Sequence, residues 1–513
     1  MFHFSVRALF LVAGSILCVD ALAASRPAAP VSPPLGRASQ RAPLAALYAR
    51  IEAAMAAAAR GDHASARLRF DEVAGDALFG TLTRAQQREV LSAAAIAAWH
   101  QEDLPRAAEL LRAATVADGN VPDDWYRLAI LELQLGQRSR AMQQVAAFAR
   151  RWPALVNNLD RMLLIELLFR AEPREVDRLN LMDALFDAGW NDNERKVDDV
   201  WRELALLHLT RGAQPRAHEV LARISDPLVI AAIRSDKRFD ALQAAIDGLP
   251  TVEAAAAANV ARLQDLTGRF PKRIDLASDL GTALLVVGRD ADALAVSEAM
   301  LTSIDDAQDT RSFAALDDRI WVMNNKAIAL RRAGRFDEAA AQFKAAGELG
   351  EGGGDNVSQR LNLGTFLCAI GRPTEALAVI EPVGDMSGYG RMVQTAVQHC
   401  AALQRRDAPG AARALAYLYD HRADSREIVV NALLRANDIE RAASELIRAL
   451  EHADDRAKAL EYVQEFRTPM ALPAQEELRA NRTHLLARAD VQAAIDRVGR
   501  VLRHEVFDVS GID

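Results

Sequence analysis

The hydrophobic and polar positions of this chain repeat one arrangement many times over. An apolar stretch of helical length ends at a turn residue, usually Gly, Asp or Asn, and an amphipathic stretch follows. An alanine stands five residues after each turn residue, near the start of the second stretch. Apolar residues at helical spacing on both sides of a short turn indicate two antiparallel helices. The pattern therefore predicts a chain built of repeated helix pairs.

The turn residue and its alanine recur nine times between residues 61 and 442. Successive alanines are 30 to 46 residues apart, except for two intervals of 76, each twice 38. We expect a degenerate helix pair in each long interval, which gives about eleven pairs over residues 44–455. The turn and alanine positions are Gly61/Ala66, Glu102/Ala107, Gly136/Ala141, Gly212/Ala217, Gly288/Ala293, Gly334/Ala339, Gly371/Ala376, Asp407/Ala412 and Asn437/Ala442.

The composition agrees with closely packed helices and argues against several protein classes. Half of the 513 residues are apolar, yet only 5% are aromatic, and alanine supplies much of the difference. Small side chains let helices approach closely, and stacked pairs bury the faces that a single pair leaves open. A disordered chain, a disulfide scaffold and a multi-span membrane protein all have other compositions. The net charge of −8, without a long basic run, argues against a nucleic-acid partner.

The N-terminal residues predict export. Residues 1–23 have the layout of a secretory signal peptide, because one basic residue, Arg7, precedes a short apolar run ending in Ala-Leu-Ala. Cys18 follows Leu17 rather than a small residue, so we do not expect a lipoprotein anchor. Residues 24–43 are rich in Pro, Ala and Arg and predict a flexible linker. No later apolar stretch is long enough to span a bilayer, so we expect a periplasmic chain without a transmembrane segment.

Residues inside the predicted pairs resemble the tetratricopeptide repeat, a helix pair of about 34 residues. Tryptophan opens two first helices, a Leu-Gly pair occurs in two others, and Ala-x-x-x-Phe occurs in two second helices. The resemblance implies an exported bacterial protein of all-α class, with a tetratricopeptide-like α-solenoid forming a right-handed superhelix of antiparallel helix pairs. The matching residues are Trp125, Leu128, Ala129, Trp201, Leu204, Ala205, Leu280, Gly281, Leu363, Gly364, Ala66, Phe70, Ala339, Phe343 and Pro153.

The clarity of the repeat divides the mature chain into three parts. Residues 44–272 are predicted as N-terminal tetratricopeptide-like repeats, some of them degenerate. Residues 273–455 are predicted as clearer C-terminal repeats, and residues 456–513 as capping helices, because a solenoid must close its exposed ends.

In tetratricopeptide superhelices the first helices line a concave groove, so polar residues on these helices are candidate ligand contacts. Arginines at the ends of the later first helices predict an anion-binding strip or, alternatively, only stabilise the helix ends. Asparagines on the same helices predict contacts with a peptide backbone or bonds between neighbouring repeats. Tyr126 and Arg202 occupy equivalent places in the N-terminal half. The remaining candidates are Arg331, Arg332, Arg405, Arg435, Asn324, Asn325, Asn362 and Asn431.

Two further sets of residues have structural interpretations. Cys368 and Cys400 lie on adjacent predicted first helices, whose axes should be about 8–10 Å apart, whereas a disulfide needs Cα atoms within about 7 Å. We therefore expect two buried thiols rather than a disulfide. Acidic pairs at the start of three first helices are expected to cap those helices. These pairs are Asp123-Asp124, Asp198-Asp199 and Asp317-Asp318.

The sequence favours binding over catalysis. It has no Cys-x-x-Cys, His-Glu-x-x-His or Gly-x-Ser-x-Gly motif, so we expect no metal, no cofactor and no enzyme activity. The resemblance implies a periplasmic scaffold in cell-envelope assembly or export, which binds another protein or an extended polymer such as a polysaccharide in its groove. The alternative is a helical-toroid hydrolase or lyase that acts on glycans, with Glu132, Glu203 or Asp279 as groove carboxylates.

Overall fold

The computed structural model describes residues 38–169, 175–192, 194–351, 354–381 and 383–509. The predicted signal peptide and most of the predicted linker lie outside these ranges. The first described helix begins at Ala38 and contains Pro43, so the last six residues of the predicted linker are helical. Within the described ranges, no helix combines the length and hydrophobicity needed to cross a bilayer.

The described residues form two compact units, one ending at Arg211 and the other beginning at Gly212. We call them the N-terminal unit (residues 38–211) and the C-terminal unit (residues 212–509). The change from degenerate to clear repeats predicted at residue 272 lies inside the C-terminal unit.

The N-terminal unit contains nine α-helices within the described residues. They are α1 (Ala38–Ala59), α2 (His63–Ala74), α3 (Arg84–His100), α4 (Leu104–Ala117), α5 (Pro122–Gln134), α6 (Arg138–Arg151), α7 (Arg161–Phe169), α8 (Glu175–Asp187) and α9 (Asp198–Thr210).

The C-terminal unit continues the helix pairs and adds two short strands. Its elements are α10 (Gln214–Leu221), α11 (Pro227–Ser235), α12 (Gln243–Asp247), α13 (Val252–Arg269), α14 (Ile274–Val286), α15 (Asp290–Asp305), α16 (Arg319–Arg332), α17 (Phe336–Gly347), α18 (Val357–Ala369), α19 (Pro373–Ile380), α20 (Gly388–Gln404), α21 (Ala408–Asp420), α22 (Arg426–Arg435), α23 (Ile439–Glu451), α24 (Arg456–Tyr462), β1 (Glu465–Arg467), α25 (Glu476–Leu486), α26 (Ala489–Val498) and β2 (Arg503–Phe507).

The turns between paired helices have the geometry that the repeat predicts. Eight of the nine predicted turn residues have a positive φ, including Gly334 at +75° and the non-glycine residues Glu102 and Asn437. A left-handed residue at this position ends the first helix, and glycine adopts it without steric cost. The ninth prediction is wrong by one residue, because Arg406 rather than Asp407 is left-handed, at a φ of 59°. The buried alanine shifts with it and is Ala411.

Small residues stand where helices cross, as the composition predicts. The alanines five residues after the left-handed positions are almost fully buried in every pair. Gly364 of α18 shows the limit of this packing, because a Cβ atom added there would lie 2.4 Å from Cγ2 of Ile380. The second 76-residue interval contains a further packed pair, α11 with α13. In the first interval, α8 packs mainly against α6 and only slightly against α7. These features confirm the predicted tetratricopeptide-like α-solenoid.

The residues predicted as a helical cap form a different structure. Besides α24, α25 and α26, they contain β1 and β2, which pair in parallel to give a two-stranded sheet. The strands were missed because each is only three to five residues long, with no sustained alternation of apolar and polar positions. We call residues 463–509 the C-terminal segment.

The C-terminal segment connects the beginning of the C-terminal unit to its end. Arg500 donates two bonds of 2.8 and 2.9 Å to the carboxylate of Asp240, and its backbone N–H donates to Ser235 at 2.9 Å. Farther along the helix pairs, the Ala474 N–H donates to the carbonyl of Ala369 at 2.9 Å. The C-terminal unit is therefore an array of helix pairs closed by its own final residues.

Candidate functional site

Two of the predicted ligand contacts lie in the N-terminal unit, and the rest lie in the C-terminal unit. Tyr126 of α5 is half-buried, and burial, followed by the negative charge of Asp160, raises its pKa to about 12. Arg202 of α9 is half-buried and 3.7 Å from the carboxylate of Asp199. Both side chains therefore have partners within the N-terminal unit.

The asparagines of the first helices link neighbouring repeats. Asn325 of α16 donates to the carbonyl of Ser278 on α14 at 2.8 Å and to Oγ1 of Thr282 at 3.1 Å. Asn362 of α18 donates to Oδ1 of Asn324 at 3.0 Å. Asn324 and Asn325 are both buried, so these amides satisfy one another and the backbone rather than facing a groove.

Two of the four candidate arginines are enclosed by the fold. Arg331 is only 4% exposed. The Arg332 guanidinium donates to the Leu285 carbonyl at 2.7 Å and to Asp290 at 3.0 Å, and it lies 4.7 Å from the ring of Phe507. The C-terminal segment therefore covers this part of the predicted arginine strip.

The candidates on α22 also have partners inside the C-terminal unit. Asn431 accepts a hydrogen bond of 2.9 Å from the Tyr462 hydroxyl. Arg435 is half-buried, with Nη1 at 3.9 Å from Sγ of Cys400. Among the four candidate arginines, Arg405 is the one whose side chain is exposed to solvent.

Cys368 and Cys400 form a disulfide, so the expectation of two thiols is wrong. Their Cα atoms are 6.5 Å apart although they lie on separate helices, α18 and α20. The expectation used the separation of helix axes, but side chains that face the seam start about 2.3 Å closer to it. The Gln404 amide donates to the Cys368 carbonyl at 2.8 Å and approaches both sulfurs at 3.4 Å.

His399 precedes Cys400 in the chain, and its Nδ1 has no hydrogen-bond partner within the described residues. The residue is 1% exposed, and burial, together with the positive charge of Arg435, lowers its pKa to about 4. The native protein thus keeps this imidazole neutral at pH values where a histidine in an unfolded chain, with a pKa of about 6.5, takes up a proton.

His399 is expected to make the C-terminal unit less stable in weak acid. Between about pH 6.5 and pH 4 the unfolded chain binds a proton that the native unit does not, so stability falls as the pH falls. Its contribution at pH 5 is about 2 kcal/mol relative to neutral pH. Urea unfolding of the wild-type protein and of His399→Gln at both pH values measures this loss.

The His399→Gln protein should lose about 2 kcal/mol less on acidification than the wild type. His504 is also buried and has a lowered pKa, but it is present in both proteins and cancels in the comparison. An equal loss in both proteins would contradict the assignment to His399.

Arg405 lies at one end of an open cleft of about 410 Å³, which we call the basic cleft. Its floor is one face of α20, and α19 and α21 form its two sides. The side chains that matter most for its chemistry are Arg391 and Gln398 of α20, Arg405 directly after the end of α20, Arg413 and Tyr417 of α21, and Leu377 of α19.

The cleft exists because the second helix beside it is short. The helix α19 has 8 residues, whereas the equivalent second helix α21 has 13, and α20 has 17. A helix of 8 residues is about 12 Å long and covers only part of α20. The face of α20 that carries Arg391 and Gln398, which are seven positions apart, therefore remains open to solvent.

The electrostatics of the basic cleft favour an anion. Arg405 and Arg413 are exposed and have no hydrogen bond or ion pair from their side chains within the described part of the chain. Arg391 donates one bond of 2.7 Å to Gln394. The single carboxylate of the cleft, Asp407, already accepts the Gly410 N–H at 3.0 Å as the cap of α21. The cleft therefore has three guanidinium groups and one locally bonded carboxylate.

Sequence reasoning found Arg405 but missed the other members of the basic cleft. Arg391, Gln398 and Arg405 recur every seven residues and lie on one helical face, a signal that the sequence does contain. Arg413 and Tyr417 belong to a second helix, whereas the predicted groove is lined by first helices. The cleft also depends on α19 being short, and the sequence pattern does not indicate where that helix ends.

Two of the three carboxylates proposed for the alternative enzyme have arginine partners in the N-terminal unit. Glu132 is fully buried and bonded to Nε of Arg112 at 2.9 Å. Glu203 is 3.2 Å from Arg178 in the same unit, whereas Asp279 belongs to the C-terminal unit. Within the described ranges there is also no group of three or more side chains placed to hold a metal ion.

The acidic pairs do not cap helices in the predicted way. The helices α5, α9 and α16 all lack a side-chain cap bond at their N-termini. Asp124 instead is buried and accepts a 2.6 Å bond from Ser92, with Arg88 at 3.5 Å. Burial raises the pKa of Asp124, and the bonds from Ser92 and Arg88 oppose that shift. Its role is to join two neighbouring helix pairs.

Comparisons with known proteins add little to the fold. No protein-family model matches the sequence, and a search of curated proteins finds no match. Among solved structures, the chain is similar to Cut9 in the Cut9–Hcn1 hetero-tetramer of the APC/C, at 13% identity and a TM-score of 0.28, over 88% of this chain and 89% of that one. Yeast Tom70 is similar at 10% identity and a TM-score of 0.31, and the match covers 88% of this chain and 98% of that one. The tetratricopeptide domain of P58(IPK) is similar at 12% identity and a TM-score of 0.20, and the match covers 79% of this chain and 99% of that one.

Proposed function

We propose that this protein is a non-catalytic periplasmic adaptor that binds another protein, in cell-envelope assembly or export. The observation that carries the proposal is the basic cleft, a solvent-open surface on which Arg405 and Arg413 have no side-chain partner within the described residues. Such a surface can hold a ligand, and the described residues place no pair of carboxylates there that could perform hydrolysis.

The disulfide supports export. Disulfides persist in oxidising compartments such as the periplasm and are rare in the cytosol. The bond joins two buried cysteines on adjacent first helices of the C-terminal unit. An oxidising compartment agrees with the signal peptide predicted at residues 1–23.

A polysaccharide is the second ligand that the sequence suggested. Sugar rings commonly stack on aromatic side chains, and the one aromatic ring among the cleft residues is Tyr417. Its ring is stacked on His421, with centroids 3.9 Å apart. The cleft residues therefore favour a charged, extended protein segment over a neutral glycan.

Affinity capture tests the proposed function. The wild-type protein is expected to retain one or a few proteins from a periplasmic extract, and the charge-reversed variant Arg405→Glu with Arg413→Glu is expected to lose them. A matched control, Arg69→Glu with Lys344→Glu, reverses two exposed charges outside the cleft and should retain them. Equal capture by all three proteins would remove the cleft from the function, and capture by none would overturn the adaptor role.

A further inference from the structure

We infer that the basic cleft binds an extended acidic peptide segment through two carboxylates about six residues apart. The inference rests on the proposed adaptor function and specifies the chemistry that the partner must present. It is carried by the spacing and exposure of the three arginines, by the lack of side-chain partners of Arg405 and Arg413 within the described residues, and by the polar and apolar groups between them.

The spacing of the arginines sets the length of the ligand. Arg391 and Arg405 are fourteen positions apart on α20, which is about 21 Å along the helix axis. An extended peptide rises about 3.3 Å per residue, so six residues cover this distance. A peptide with acidic residues at positions one and seven therefore matches both ends of the cleft.

The middle of the cleft suits the backbone of such a peptide. Gln398 is exposed and has no hydrogen bond from its side chain within the described residues, so its amide can both donate to and accept from a peptide group. Leu377 of α19 and the small Ala402 and Ala414 line the same surface, which leaves room for one apolar side chain.

A third arginine strengthens the preference for carboxylates. Since α21 runs back along α20 from the turn, Arg413 lies about 9 Å from that turn, between the two ends of the cleft. Guanidinium groups bind carboxylates through paired, charge-assisted hydrogen bonds. Asp407 contributes the only negative charge among the lining residues, and the Gly410 N–H already occupies one of its oxygens.

A short synthetic peptide tests the inference directly. The probe is the fluorescein-labelled heptapeptide Glu-Gly-Ser-Leu-Ser-Gly-Glu with blocked ends, and its partner peptide has Gln in both Glu positions. Fluorescence anisotropy with the full chain should show binding of the Glu peptide at least tenfold tighter than that of the Gln peptide. The affinity should also fall when the salt concentration is raised from about 0.05 to about 0.5 M, because the contacts are exposed.

Variants of the cleft should weaken binding in a graded way. Arg405→Gln and Arg413→Gln should each lower the affinity about fivefold, as expected for one exposed charge-assisted contact. Lys344→Gln removes an exposed charge on α17, outside the cleft, and should leave the affinity unchanged. Circular dichroism spectra that match the wild type would show that the variants keep their fold.

Three results would overturn the inference. They are equal binding of the Glu and Gln peptides, absence of binding at about 1 mM peptide, and tighter binding of an oligogalacturonate, which carries its carboxylates on sugars. If affinity capture still retains a protein in a cleft-dependent way, the adaptor function survives any of them. If capture fails while the Glu peptide binds, the cleft is an anion site and the adaptor function is wrong.

Discussion

Replacing Phe507 by alanine is expected to destabilise the C-terminal unit by about 3 kcal/mol. Phe507 is 9% exposed, and the guanidinium groups of Arg332 and Arg467 each lie 4.7 Å from the centre of its ring. It also fills the space at Gly288, where an added Cβ would lie 2.6 Å from the ring. The substitution removes this packing and weakens the contact that closes the array.

Hydrogen–deuterium exchange measures this effect segment by segment. A loss of about 3 kcal/mol corresponds to roughly hundredfold faster exchange, and we expect it at the amides of β1 and β2 and near Glu253, whose carboxylate accepts the Glu505 N–H at 3.0 Å. Phe270→Ala is the control, because that ring is 40% exposed and its removal should change stability by less than about 0.5 kcal/mol. Unchanged exchange in Phe507→Ala would show that the C-terminal segment does not hold the array closed.

Breaking the disulfide is the second large change. The bond joins residues 32 positions apart, and a loop of that length contributes about 3 to 4 kcal/mol by restricting the unfolded chain. The double variant Cys368→Ala with Cys400→Ala should therefore unfold at a clearly lower denaturant concentration than the oxidised wild type. Reduction of the wild type should produce a similar loss.

The double variant treated with the reductant is the control for the reduction experiment. That protein has no bond to break between α18 and α20, so its midpoint should not move. Alkylation of the protein taken directly from its compartment should find both cysteines blocked by the disulfide. Free thiols at both positions would argue against the bond and against an oxidising compartment.

The array of helix pairs could be predicted from the sequence because each repeat contains the same short sequence pattern at its turn. A left-handed residue such as Gly136, followed five residues later by a buried alanine such as Ala141, marks the turn of a helix pair without reference to distant residues. The one error in register, at Arg406, arose where glycine is absent and neighbouring residues fit the turn equally well. Local chemistry therefore predicted the solenoid and most of its boundaries.

The closure and the disulfide depend on contacts between distant residues and could not be predicted in the same way. Arg500 meets Asp240 across 260 positions, and no repeat signal connects them. For the cysteines, the direction of two side chains decided the outcome, and the separation of helix axes was a poor guide. For the asparagines, the burial of Asn325 decided between a ligand contact and a bond between repeats.

The basic cleft was only partly predictable. Arg405 was predictable because it stands at the end of a first helix, whereas Arg413 lies on a second helix. The surface between them is open because α19 ends early, at Ile380. An elongated groove was expected to be lined by first helices alone. In the structure, both sides of the open cleft are second helices.

Cross-linking in intact cells tests most directly whether a protein partner occupies the basic cleft. A photo-activated cross-linking amino acid in place of Gln398 should yield one discrete adduct in intact cells. The adduct should disappear when Arg405→Glu and Arg413→Glu are added, and persist when Arg69→Glu and Lys344→Glu are added instead. Absence of an adduct at Gln398, or an adduct that does not respond to the cleft arginines, would contradict the account.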